Sequence, residues 1–331
     1  MSNRLILAPL LAALLAPALA TSAEKPNPQQ EGAALLARAA EVSNIRSADA
    51  KPFRIRAGVS LFAVEAGNLE GSYSLVWSSP NRWREETTFP GFTQVRVAGD
   101  RKFWQARNVD HLPERIWEFQ NLIDLMFRLR LQPKERIRKV YDSRKGGPAL
   151  RCLELKAESG IERELCFDAT LNTLVREKRA RSEYAYDDYL GLGGRFFSKS
   201  MRFVRDGRAL VELRIEELVE IPGVDDSTFT PPAGAQEWET CAEPEKPRVE
   251  KQVAPVYPDA ARRSQITGEV VVYALIGTDG RLHNLKVLAS TWPGFATPTL
   301  EAWQQARYKP QTCNGKPVPS ETIIRTTFRM Y

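Results

Sequence analysis

Few side chains in this sequence are equipped for chemistry. Histidine occurs twice, as His111 and His283. They fall in separate domains on the division given below, which argues against a Ser-His-Asp site and against a His-rich zinc site. The four cysteines lack the close Cys-x-x-Cys pairing of a metal or redox motif. Gly191-Leu192-Gly193-Gly194 is followed by neither a Lys-Ser/Thr signature nor dinucleotide-binding spacing, so it reads as a turn or bulge. Asp187-Asp188 and Asp225-Asp226 read as solvated turn residues. The expectation is no catalytic residue, no metal, no cofactor and no enzyme. A basic cluster, Arg128, Arg130, Lys134, Arg136, Arg138, Lys139, Arg144 and Lys145, is diluted by Glu135 and Asp142. It reads as a solvated face, with anionic headgroups or an acidic partner as the functional alternative.

The cysteines have a better use as cross-links. A three-residue loop, Glu158-Ser159-Gly160, pairs Ala157 with Ile161 and therefore Cys152 with Cys166. Gly160 stands where such a loop needs a positive φ. On this register Leu153, Leu155, Ile161 and Leu165 share one face, Lys156 opposes Glu162, and Glu154 opposes Glu164. Four cysteines allow three connectivities; with the first pair set, Cys241 is left for Cys313.

Disulfides imply an oxidising compartment, and the N-terminus agrees. Arg4 precedes an apolar run from Leu5 to Leu15, and Ala18-Leu19-Ala20 and Thr21-Ser22-Ala23 both fit a small-residue cleavage rule. The apolar stretch carries Pro9 and Pro17 and is short for a bilayer span. A cleavable signal peptide over residues 1–23 is expected; the competing reading is an uncleaved anchor. The chain has 331 residues, 43% of them hydrophobic, and a formal net charge of +6. That size suits two domains with their own cores. An exported protein meets little nucleic acid, so none is expected as a partner.

The elements that position these residues follow from periodicity. Glu31 to Asn44 is Ala- and Leu-rich and reads as a helix. Phe53, Ile55, Ala57, Val59 and Leu61 alternate with polar residues, as do Val211, Leu213 and Ile215; Met201 and Phe203 do so less cleanly. Period two with one apolar face means antiparallel sheet. Glu114 to Arg130 reads as a helix with Ile116, Trp117, Phe119, Leu122, Ile123, Met126 and Phe127 on its apolar stripe. Prolines from Pro222 to Pro258 stiffen a connecting stretch. The fold class is α+β: a large antiparallel sheet domain over 24–235, a Pro-rich linker over 236–254, and a small ββαβ domain over 255–331.

In that last domain Asp259 to Arg263 reads as a short helix and Gly268 to Ile276 as a strand. A Thr278-Asp279-Gly280-Arg281 turn leads to a second strand, Leu282 to Ala289. A helix is expected from Thr297 to Tyr308, stopped by Pro310, then an Asn314-Gly315 turn and a final strand from Glu321 to Met330. Four pieces in this order carry a resemblance: Tyr257-Pro258 with Ala261-Arg262; Gly268-Glu269-Val270; Asp279-Gly280-Arg281; and Trp303 through Tyr308-Lys309-Pro310 before Gly315-Lys316-Pro317-Val318. The unit resembles the C-terminal domain of TonB. The resemblance implies a periplasmic location and a protein partner, an extended peptide of an outer-membrane transporter that pairs with an open sheet edge. The expected edge is Ile323, Ile324, Arg325, Thr326, Thr327, Phe328 and Arg329. Ile324, Thr326 and Phe328 would pack on the helix carrying Trp303, leaving Arg325 and Arg329 free to meet acidic groups of a partner. A folded domain stands where energy-transducing members of the family carry a long spacer, so peptide binding without energy transduction is expected.

The larger domain resembles periplasmic carriers of the LolA and LolB kind. The similarity runs through Gly71-Ser72-Tyr73, Trp77 to Glu85, Asp100 to Trp104, and Asp225 to Pro232. It implies a half-open sheet curled over helices, with an apolar cavity for acyl chains and hence a lipid or lipoprotein ligand. That is the alternative function. Phe53, Tyr73, Trp77, Trp83 and Trp104 read as core rather than ligand lining.

Overall fold

The structure, a computed structural model, describes residues 27–64, 67–99, 102–132, 134–144, 147–239 and 244–330. The expected signal peptide lies outside them. No described helix is long and apolar enough to cross a membrane.

The described residues open with α1 (Pro28–Ser43) and five antiparallel strands, β1 (Phe53–Val64), β2 (Gly67–Ser79), β3 (Arg82–Phe89), β4 (Phe92–Gly99) and β5 (Lys102–Arg107). Helix α2 (Glu114–Phe127) follows. Then come β6 (Glu135–Ser143), β7 (Leu150–Ala157), β8 (Glu162–Asp168), β9 (Leu174–Arg179), β10 (Ser182–Leu192), β11 (Arg195–Arg205), β12 (Arg208–Glu220) and the short β13 (Gln236–Glu239). All thirteen form one open sheet in the order β13-β5-β4-β3-β2-β1-β12-β11-β10-β9-β8-β7-β6. Two meanders are thus joined where β1 pairs with β12, Ala57 opposite Ile215 and Val59 opposite Leu213.

Alternation decides which face is buried. Phe53, Ile55, Ala57, Val59 and Leu61 are buried, as are Tyr73, Leu75 and Trp77 on β2 and Val211, Leu213 and Ile215 on β12. Ile116, Phe119, Leu122, Ile123 and Met126 of α2 close over them. Phe53 stacks on Trp77 at 5.2 Å and Tyr73 meets Phe119 edge-on at 5.5 Å. The Tyr186 hydroxyl donates to the Leu122 carbonyl at 3.0 Å and the Tyr73 hydroxyl to Glu85 at 3.1 Å, so both polar tips are satisfied.

Helix α1 begins earlier than expected because Asn27 caps it, its side chain accepting from the Gln29 N–H at 2.9 Å, with Pro28 in the first turn. Helix α2 ends earlier than expected, at Phe127. The Cys152–Cys166 disulfide and its hairpin register are as expected: Cys152 opposes Cys166, Lys156 opposes Glu162, and Gly160 has φ +85°. One detail is corrected. Ile161 is exposed, and Arg163 instead continues the buried face. Its guanidinium makes two 2.6 Å bonds to Glu135 and donates to the Arg130 carbonyl, with Glu177 at 3.4 Å. The Glu154–Glu164 opposition is relieved because Arg176 and the Tyr141 hydroxyl both bind Glu164.

The prolines of the connecting stretch leave room for short strands. Besides β13, β14 (Arg248–Lys251) forms there and pairs with a strand of the C-terminal module. That module contains α3 (Asp259–Arg263), β15 (Gly268–Ile276), β16 (Leu282–Ser290), α4 (Ala296–Gln304), β17 (Arg307–Lys309), β18 (Gln311–Cys313), β19 (Lys316–Val318) and β20 (Ser320–Phe328). Helix α4 stops before Tyr308, a correction with a clear cause: Arg307–Lys309 is drawn into a ladder with β14. Gly280 has φ +73°, and a Cβ there would stand 2.2 Å from the Tyr308 carbonyl oxygen. Asn314 and Gly315 both have positive φ, the turn that joins β18 to β19. Cys241 lies outside the described residues, and with it the second expected bridge; Cys313 is buried and is not a free thiol.

Candidate partner-binding edge

Strand β20 is the outer strand of a three-stranded sheet ordered β16-β15-β20. Its inner side pairs with β15 without a break, from Gly268 opposite Phe328 to Ile276 opposite Ser320. Among the described residues no strand pairs with its outer side.

Backbone parity says which residues look outward. Glu269 opposes Thr327. Its N–H and its carbonyl both turn the other way, to Thr291 beyond β16: the N–H to the Thr291 hydroxyl at 2.8 Å, the carbonyl accepting from the Thr291 N–H at 2.9 Å. Antiparallel neighbours that do not bond to each other both point away. Thr327 therefore turns its N–H and carbonyl to the open side, and Arg325, Ile323 and Glu321 follow at steps of two. Thr326, Ile324 and Thr322 bond inward to β15.

Side-chain parity separates two faces. Ile324, Thr326 and Phe328 are buried toward α4, as expected. The Trp303 indole donates to the Thr326 hydroxyl at 2.8 Å, and Phe328 stacks on Phe295 at 4.0 Å. Thr327 and Arg329 are exposed, and Ile323 and Arg325 are half-buried.

Arg325 is not free, contrary to the expectation. It is ion-paired with Glu114 of α2, lies 3.0 Å from Glu118 of the same helix, and reaches Glu269 at 2.9 Å. The same α2 carboxylates bind Arg115 and Arg205. Arg115 is 2.7 Å from Glu118 and 3.2 Å from Glu114; Arg205 is 2.6 Å and 3.3 Å away. Burial raises the Glu114 carboxyl, but Arg325 and Arg115 outweigh it and hold the group below its ordinary range. For the more deeply buried Glu118 burial wins and the carboxyl is pushed up. Nearby, Glu321 pairs with Arg107 and accepts from the Tyr273 hydroxyl at 2.7 Å. Lys286 lies 3.4 Å from Asp110 and 3.1 Å from His111, whose ring meets Tyr273 edge-on. The face of β20 that was expected to meet a partner's acids thus meets acids of the first domain. Sequence reading missed Glu114, Glu118, Arg107 and Arg205. The only local hint is the acid pair at i, i+4 beside the apolar stripe of α2, a spacing that is unfavourable unless cations intervene.

The core face of the large sheet is the other candidate. Phe53, Tyr73 and Trp77 are buried in it, while Trp83 and Trp104 are half-buried. A cavity of about 280 Å³ opens at one rim, lined by Ile45, Asp49, Lys51, Leu192, Arg195 and Glu220. It is bridged by the 2.9 Å Arg195–Asp49 ion pair.

None of the curated proteins matches this chain significantly. Among solved structures, a LolA superfamily protein from Nitrosomonas europaea aligns with TM-score 0.39 and 11% identity, over 60% of this chain and 96% of its own. The MucA/MucB complex of Pseudomonas aeruginosa aligns with TM-score 0.23 and 12% identity, over 76% and 82%. The C-terminal domain of Pseudomonas aeruginosa TonB aligns with 28% identity and TM-score 0.24, over 26% of this chain and 88% of that one. Residues 253–330, the stretch that contains β20, match the family of Gram-negative bacterial TonB protein C-terminal domains.

Proposed function

We propose that this is a periplasmic interaction protein whose C-terminal module docks an extended segment of a protein partner along β20, in connection with outer-membrane transport. One observation carries the reading: in a module that matches the TonB C-terminal family, the backbone groups of Ile323, Arg325 and Thr327 face an open edge. An added strand satisfies those groups and gains main-chain hydrogen bonds regardless of its sequence. The residue types suit the task, since Ile, Thr and Phe favour a pleated, half-buried surface.

The alternative, a lipid or lipoprotein carrier, asks for space on the core face of the large sheet. Phe53, Trp77, Tyr73 and Phe119 fill that space with almost no exposure, and an acyl chain would have to displace them.

The test uses the full chain and synthetic extended peptides from outer-membrane transporters. Thr327→Pro removes one outward N–H and should weaken peptide binding about tenfold or more while the circular dichroism stays native. Unchanged affinity in a folded variant would contradict the reading.

A further inference from the structure

The first domain does more than carry the module: it lies on the strand that the partner needs. Glu321, Ile323 and Arg325 share the face of β20 that meets α2 and β5. An added strand would set every second side chain on that same face, beside the first turn of α2 and Arg205.

The contacts that hold the two domains have a common design. Glu114 and Glu118 each have Arg115 and Arg205 on their own side of the junction as well as Arg325 across it. Arg325 has Glu269 within its own module. Glu321 has the Tyr273 hydroxyl as well as Arg107. Asp110 has His111 as well as Lys286. Breaking a buried ion pair is costly because a charge is left uncompensated. Here separation leaves each of these carboxylates, and Arg325, with a partner of its own. The apolar element of the contact is small and centres on Tyr273, which joins the core of the first domain. Polar interfaces of this kind favour relative domain motion.

We infer that the first domain is an intramolecular cover for β20, latched through Arg325 and Glu321, and that its release raises the affinity of the edge for a partner strand. This rests on the reading of β20 as the docking edge.

The experiment compares the full-length protein with the double variant Arg107→Ala/Glu114→Gln. Both changes lie in the first domain, and Glu118 keeps Arg115 and Arg205, so α2 retains the ion pairs of that carboxylate. A second arm takes the unmodified protein from about 50 to about 500 mM salt, which shortens the screening length from over 10 Å to under 5 Å. Small-angle scattering should show a larger radius of gyration in the variant and at high salt. The same transporter peptides should bind the variant about fivefold tighter or more, the low end of ordinary coupling between sites. A variant that stays compact, or one that opens without gaining affinity, overturns the cover. Thr327→Pro in both backgrounds tests the edge separately: binding that ignores it sinks the docking reading, whatever the latch does.

Discussion

At its two ends the thirteen-stranded sheet is finished in ways that β20 is not. On β6 the outward Ile137 N–H is taken by the Gln29 side chain of α1 at 2.9 Å. Arg136, Arg138 and Lys139 stand exposed along the same strand. At the opposite end β13 is only four residues long and carries exposed Glu237 and Glu239. Short strands, charges and capping side chains are the usual means of keeping an edge from pairing. The expected basic cluster thus lies partly on an edge strand, where its charge discourages pairing. Strand β20 is nine residues long, rich in Ile, Thr and Phe, and free of proline. Its one arginine, Arg325, is drawn away to α2. The two ends of the large sheet are thus finished against pairing, whereas β20 carries none of these devices along its backbone edge, a difference that suits the docking role proposed for it.

The largest effects should break this comparison outright. Thr326→Pro and Thr327→Pro differ by one residue, but the first N–H belongs to the ladder with β15 and the second to the open side. Thr326→Pro should destabilise the module by about 3 kcal/mol or more, read by chemical denaturation, whereas Thr327→Pro should cost well under that. Equal losses would mean the parity assignment is wrong. In the large sheet, Arg163→Ala strips the counter-charge from buried Glu135 and leaves buried Glu177 with Arg179 alone. It should cost about 3–5 kcal/mol and leave peptide binding at β20 unchanged.

Two smaller effects sharpen the contrast, because both act on the large sheet alone. Glu85 is buried; burial raises its carboxyl, but Arg96 and Arg46 prevail and bring it down to about 2. A depressed carboxyl contributes above its unfolded value and loses that contribution as pH falls through the folded one. From pH 4.5 down to about 2 the large domain should therefore lose roughly 3 kcal/mol. Glu85→Gln should flatten that part of the stability profile; an unaltered profile would show that the Arg46–Glu85–Arg96 group carries no such linkage. Reducing the Cys152–Cys166 bridge, with 14 residues of separation, should cost about 3 kcal/mol in the chain-entropy model. A variant with both cysteines as serine gives the measurement without reductant; a midpoint equal to the parent's would contradict it.

Local chemistry was legible in the sequence where turns set register. Glu158-Ser159-Gly160 and Asp279-Gly280 are such turns, and the pairing of Cys152 with Cys166 and the bounds of β15 followed from them. The two faces of β20 were legible from period two alone. What stayed hidden depends on contacts between distant segments. Ile161 is exposed and Arg163 buried because Glu135 and Glu177, on other strands, receive the guanidinium. Tyr308 sits in a strand because β14, some sixty residues earlier, offers it a ladder. Arg325 is engaged because α2 docks beside it, and no pattern near residue 325 announces that.

The central claim is most directly tested by residue-resolved amide hydrogen exchange on the full chain, free and with a bound transporter peptide. In the free protein the N–H groups of Thr322, Ile324 and Thr326 should be protected and those of Ile323, Arg325 and Thr327 should exchange faster; on binding, the second set should become protected while the first set stays so. Protection of Ile323, Arg325 and Thr327 that is already complete without peptide, or that does not change when peptide binds, would contradict an open edge completed by a partner strand.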